Sequence, residues 1–139
     1  INELCNSIGL ENFKKLFEVI LTDNGSEFSD PEAIEFEPET GELRSKVFFC
    51  HPYNSGEKGH CEKNHEYIRY ILPKGTSFDF LTQDMCNLMM SHINSTKRPS
   101  VNGSPYDFMA LTYGTAILEL LKIKKIDSNE IVLLPILLS

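Results

Sequence analysis

At 139 residues and 15.8 kDa the chain has room for one hydrophobic core but too little for two large ones. Its 41% hydrophobic and 24% charged residues are ordinary for a soluble globular protein, and no apolar run reaches the roughly 18 residues of a bilayer-spanning helix, which argues against a membrane protein. The formal charge of −7, from 20 acidic against 13 basic residues, argues against a free-standing DNA-binding module, which carries a basic footprint.

The chain opens on Ile1 with no basic-then-apolar leader, so we expect no secretory signal, and the missing initiator Met points to a piece cut from something longer. Cys5, Cys50, Cys61 and Cys86 form no C-x-x-C pair and lack zinc-like His spacing, so they read as reduced, mostly buried thiols of a cytoplasmic protein. Acidic residues crowd positions 27–42, whereas Lys58, Lys63, Arg69, Lys74, Lys97 and Arg98 follow later and leave room for a local basic surface.

In chain order, Leu4, Ile8, Leu10, Phe13, Leu16 and Phe17 fall near helical spacing and predict an amphipathic helix over 3–17, broken near Ser7 to Leu10. Val19, Ile20 and Leu21 are a short apolar run ending at Thr22-Asp23-Asn24-Gly25, the pattern of a strand buried on both faces as it exits into a loop. Residues 33–37 and 43–50 predict two extended arms around the turn Pro38-Glu39-Thr40-Gly41, the second arm lying beside the first strand and ending at Pro52. A polar loop, 53–60, then feeds a helix over Cys61 to Ile71 that must stop before Pro73, with Glu62 in its first turn. Thr82 is placed to cap a helix whose Met85, Leu88, Met89, His92 and Ile93 share a face. After a loop over 94–103, Ser104 with Pro105 starts another helix that Tyr113-Gly114 breaks, and 115–125 reads as one more. The apolar tail Ile131 to Leu138 needs a partner surface, in its own core or across a subunit interface.

Chemistry concentrates in two strings. In Thr22-Asp23-Asn24-Gly25-Ser26-Glu27-Phe28 a carboxylate leaves a strand into a flexible loop, a good place to hold a hard divalent cation, although the same residues also read as an ordinary Asp-Asn-Gly turn. In His51 to Arg69 a glycine-rich loop presents Glu62 at a helix start, so the two carboxylates can converge as two-metal phosphodiester chemistry requires. The alternative for Glu62, Lys63, Glu66 and Arg69 is a solvated face with a Glu62 to Glu66 to Arg69 charge ladder. The Met85, Met89 and Met90 cluster reads as helix packing.

The strings T-D-N-G-S-E-F at 22–28, H-P-Y-N-S-G-E-K-G-H-C-E-K-N-H-E-Y-I-R at 51–69 and Y-I-L-P-K-G-T at 70–76 together resemble the DDE transposases of insertion-sequence family thirty. I-N-S-T-K-R-P-S at 93–100 and S-P-Y-D-F at 104–108 extend the likeness less sharply. The resemblance implies an α/β, RNase H-like (integrase core) fold truncated at its N-terminus, with residues 1–115 a partial catalytic core and 116–139 a C-terminal helix and apolar tail. It implies Asp23 and Glu62 as the second and third catalytic, metal-holding carboxylates, Mg2+ or Mn2+ as cofactor, and transposon-end and target DNA as partners of the parent. A sheet edge exposed by the missing leading strands, together with the apolar tail, is expected to be covered by self-association into a homo-oligomer or by a missing N-terminal segment. Three departures stand beside it: the family's first Asp and its upstream helix-turn-helix have no counterpart here, 38 residues separate Asp23 from Glu62, a longer interval than usual, and His65 and Glu66 replace small or amide residues. The extra residues are expected in the hairpin from Glu35 to Arg44.

Lys58, Lys63 and Arg69 flank Glu62 where a DNA backbone would pass, against the alternative of a solvated basic face. His51, His60 and His65 read as structural, because this reaction class uses carboxylates and metal, with His60 near the site. The expected function of the parent is metal-dependent DNA cleavage and strand transfer, with this chain inactive or nearly so in isolation. A non-catalytic module that self-associates is the alternative, and another RNase H-like nuclease a weaker third.

Overall fold

The computed structural model describes residues 1–51, 56 and 59–139, the side chains at 60, 61 and 101 excepted. It is a mixed helix and strand chain that divides into two units, Ile1–Glu57 and Lys58–Ser139.

In the first unit the expected break in the leading helix falls at Gly9, which separates α1 (Asn2–Ile8) from α2 (Leu10–Leu16). Gly9 sits at φ +83°, a conformation that side-chain-bearing residues rarely adopt, so the chain turns there while its amide still donates to the Cys5 carbonyl at 2.8 Å. The apolar side of both helices buries Cys5, Ile8 and Phe13.

Strand β1 (Val19–Thr22) pairs in parallel with β2 (Lys46–Phe49), in the register Val19 to Lys46, Leu21 to Phe48 and Thr22 to Phe49. The expected neighbour relation therefore holds, but the expected burial of β1 on both faces does not. Residues in register share a face, and that of Val19, Leu21 and Phe48 is open, at 56%, 47% and 53% exposure, because nothing among the described residues packs over it.

A parallel pair needs a crossover, and its path corrects the predicted hairpin. Residues 31–35 form α3 (Pro31–Glu35) instead of an extended arm. Asp30 Oδ1 accepts from the Ala33 amide at 3.1 Å, Pro31 occupies the first helical position and Glu32 follows, so three helix-start signals override the extended pattern. What survives of the hairpin is one antiparallel bridge between Phe36 and Leu43, closed by a turn with Gly41 at φ +69°. The α3 end is tied back by the buried Arg44, whose Nε donates to the Ile34 carbonyl and whose Nη2 donates to those of Ala33 and the Asn2 side chain. Glu35 accepts from the Val47 amide at 2.9 Å and so satisfies an edge donor of β2.

The second unit is helical. Helix α4 (Gly59–Ile71) precedes Pro73 as expected, and α5 (Gln83–Ser95) starts at Thr82, whose hydroxyl accepts from the Met85 amide. Ile71 and Leu72 pack with Met89, Ile93 and Leu138. The tail thus finds its partner in its own unit: a 3₁₀ turn at Pro135–Leu138 buries Leu138, with Leu133 and Leu137 packed beside it. Leu88, expected on the same face as Met89, is exposed instead.

Helix α6 (Pro105–Tyr113) begins with a complete capping box, Ser104 Oγ accepting from the Asp107 amide while Asp107 Oδ2 accepts from that of Ser104, and Gly114 at φ +84° ends it. Helix α7 (Thr115–Leu120) stops five residues short of the expected 125. There Lys122 turns left-handed at φ +56° and the Ile123 amide reaches the Leu118 carbonyl at 2.9 Å, a Schellman closure. No helix among the described residues is long and apolar enough to cross a membrane.

Candidate functional site

Asp23 follows β1 directly, at the C-terminal end of a parallel strand. The pairing runs one step past the strands, since the Cys50 amide donates to the Thr22 carbonyl at 2.7 Å, so Asp23 leaves a backbone anchored on its neighbour. Its side chain is exposed, and Oδ1 accepts from the Gly25 amide at 3.3 Å. This is the Asx turn of the bland reading, built on the strand end of the functional one. A 3₁₀ turn at Ser26–Phe28 follows, and Asn24, Gly25, Ser29, Pro31 and Phe49 help to line a shallow hollow of about 380 Å3 beside it.

Glu62 is in the first turn of α4, as expected, exposed and without an ion pair among the described residues. On the solvated face weighed as the alternative, the ion pair is not the Glu62 to Glu66 to Arg69 ladder but one between Lys63 Nζ and Glu66 Oε2 at 2.6 Å, an i,i+3 contact on the helix surface. The Glu66 hydrogen bond holds the Lys63 ammonium above its ordinary value. Asp23 belongs to the first unit and Glu62 to the second. Among the described residues no three His, Cys, Asp or Glu side chains gather closely enough to hold a metal ion. Asp23 and Glu62 each offer hard oxygen donors of the kind that Mg2+ takes.

Of the residues expected to meet DNA, Lys58 lies outside the described residues, as does the side chain of His60. Lys63 and Arg69 are both exposed on α4 but line different hollows. Arg69 shares one of about 290 Å3 with His65, Lys74 and Phe78. Lys63 shares one of about 340 Å3 with Asn64, Tyr67, Arg98 and Phe108. Arg98 was legible only as one basic residue among several, yet its guanidinium carbon lies over the Tyr67 ring, 3.7 Å from the centroid. Its backbone is fixed by a bridge to Gly103, with an amide to carbonyl distance of 2.6 Å. No spacing signal joins positions 67 and 98; their meeting depends on how α4 packs with the chain after α5. A separate hollow of about 490 Å3 between α5 and residues 119–126 carries Asp84, Glu119, Lys122 and Lys124, charges of both signs, and none of the motif residues.

The described cysteines, Cys5, Cys50 and Cys86, are free thiols, the first buried and the others half-buried.

No family model matches the chain, and no solved structure matches it. Curated proteins do. A transposase for an insertion sequence element of Bacteroides fragilis is 34% identical over 89 residues, 64% of this chain and 26% of that protein. A probable transposase for an insertion-like sequence element of Streptococcus salivarius is 34% identical over 98 residues, 69% of this chain and 26% of that one. A transposase of Cupriavidus metallidurans is 30% identical over 66 residues, 47% of this chain and 20% of its own. The chain spans about a quarter or less of the length of these curated relatives. Over the matched residues the chain is thus similar to transposases of bacterial insertion sequences.

Proposed function

We propose that the chain is part of the catalytic core of a DDE-type transposase of insertion-sequence family thirty, an RNase H-like fold that serves metal-dependent DNA cleavage and strand transfer. The observation that carries this reading is the Asp23 carboxylate at the C-terminal end of parallel strand β1, inside Thr22-Asp23-Asn24-Gly25, in a chain 34% identical to a transposase over 89 residues. Open sheets put ligand chemistry at that end, where the backbone is held behind and open in front. Asp23 and Glu62 would hold Mg2+ or Mn2+, and DNA is the substrate of the whole protein. Such an ion, when bound, supplies charge to a reacting phosphodiester and activates a water or 3′-hydroxyl. Asp23, whose Oδ1 accepts from the Gly25 amide, would contribute one anionic ligand, and Glu62 would contribute a second from a helix start. A second reading, a non-catalytic module that self-associates, draws on the net charge of −7 and on the open apolar face of Val19, Leu21 and Phe48.

The test is a Mn2+ titration by calorimetry on this chain and on Asp23→Ala, beside a plasmid-nicking assay. Weak binding by the parent chain that Asp23→Ala abolishes supports the catalytic-core reading, with no nicking expected from the fragment. No binding by the parent chain overturns it in favour of the interaction module.

A further inference from the structure

The hollow between α4 and the start of α6 is absorbed by neither reading, although the K-R-P-S and S-P-Y-D-F strings supply one side of it. We propose that Arg98, Tyr67 and Phe108 form a subsite for one unstacked nucleotide of single-stranded DNA, an inference that rests on the transposase reading for the identity of the nucleic acid.

Four observations carry it. First, the Arg98 guanidinium is half-buried with no carboxylate partner among the described residues; its one side-chain hydrogen bond there, Nη2 to Asn64 Oδ1, is long at 3.4 Å. Its Nε is sealed from water without an acceptor. Among the described residues a cation so placed lacks an anionic partner, and a phosphate in the hollow would supply one to its Nη donors. Second, the guanidinium is not free to wander, since it is stacked on Tyr67 and its backbone is bridged to Gly103. Third, a large share of the wall is apolar: Phe108, 60% exposed, lines it together with Tyr67, Pro99, Pro105 and Met109. An exposed aromatic ring beside a fixed guanidinium is the combination that binds unpaired bases, the ring taking the base by stacking and the cation taking the backbone. Fourth, the hollow's volume of about 340 Å3 lies within the range of small-ligand sites. Lys63 adds a second cation to the lining, already paired with Glu66, so it is an accessory to Arg98 rather than its equal.

The test uses the full chain in EDTA, so that it is independent of any metal. Anisotropy would compare a labelled oligothymidylate with a blunt duplex of equal length, and an oligonucleotide carrying 2-aminopurine would report stacking by loss of its fluorescence. The variants are Phe108→Ala, at a site too exposed to be needed for folding, and Arg98→Gln. The controls are Leu111→Ala, an apolar side chain 89% exposed outside the hollow, and Lys122→Gln, which removes the same charge elsewhere. The expected result is a preference for the single strand, weakened about fivefold or more by either subsite variant and unchanged in both controls, with quenching lost in Phe108→Ala. Equal losses in Arg98→Gln and Lys122→Gln, no preference over duplex, no binding by the parent chain, or quenching retained in Phe108→Ala would each overturn it. If Arg98→Gln does not fold, Phe108→Ala and the quenching decide. Failure here with Mn2+ binding intact removes the subsite alone, whereas loss of Mn2+ binding with selective single-strand binding intact removes the catalytic reading alone.

Discussion

The Arg44 guanidinium lies over the ring of Phe13, 5.5 Å from its centroid, and both side chains are sealed from solvent. The charge is tolerated there because three of its N–H donors are matched, to the Ile34 carbonyl, the Ala33 carbonyl and Asn2 Oδ1 at 2.9, 2.9 and 2.7 Å. This one side chain ties α1, α2 and α3 together. Arg44→Ala would leave those acceptors unpaired and a void against Phe13, and should lower unfolding stability by about 2–4 kcal/mol in urea melts. Arg44→Lys should recover only part of the loss, since a point ammonium does not reproduce the fork.

A second prediction concerns acid. Burial pushes the His92 imidazole below its ordinary value, against an opposing pull from Glu130, and Nδ1 accepts from the Val132 amide at 3.1 Å. A base with a depressed folded value binds more protons unfolded, so stability rises with pH across the interval between the two values. His92 should therefore contribute fully above its unfolded value of about 6.5, and the contribution should fall away as pH drops below it toward the folded value. Thermal melts from pH 7.5 to 5 should show this loss, and His92→Gln should flatten it. An unchanged slope in the variant would remove the assignment.

Ser91 and Ser95, one turn apart on α5, perform a related task. Their hydroxyls accept from the amides of Lys124 and Ile126 at 3.0 and 2.9 Å, so that with His92 they pin a segment lacking regular structure. Ser91→Ala and Ser95→Ala should each cost about 1–3 kcal/mol, the penalty for a donor left without its partner. Hydrogen exchange should localise the effect, with the amides of Lys124 and Ile126 losing protection before the core of α5 and α4.

The start of α6 offers a fourth measurement. Ser104 Oγ accepts from the Asp107 amide and from Lys125 Nζ, and donates to Asp107 Oδ2 at 2.6 Å. Lys125 and then Ser104 hold the Asp107 carboxyl below its ordinary value. Ser104→Ala should lower stability by about 1 kcal/mol or somewhat more, since the cap and an ammonium contact are lost together. It should also raise the Asp107 value as measured by NMR titration, which a purely steric role of Ser104 would not do.

Elements with strong local signals were readable from residue order. Gly9, Thr82, Ser104 with Pro105, and Pro73 mark boundaries by backbone chemistry that acts within a turn, and each marks one in the structure. The Asp23 strand end and the Glu62 helix start were legible for the same reason. The first hairpin arm was misread because its alternating residues also satisfy a short helix, and the Asp30 cap with Pro31 decided the contest. The α7 end was missed because Lys122 carries no mark of a left-handed turn.

Residue order by itself thus determined where the chain changes direction and which motif carboxylates begin or end an element, since both depend on neighbours a few positions apart. Only the tertiary structure decided that β1 leaves Val19 and Leu21 open, that Arg44 is a buried tie, that the apolar tail turns inward onto Ile71 and Ile93, and that Arg98 lies on Tyr67. Each of these joins residues far apart in sequence, where burial and stacking depend on which surfaces meet, and side-chain periodicity carries no record of that meeting.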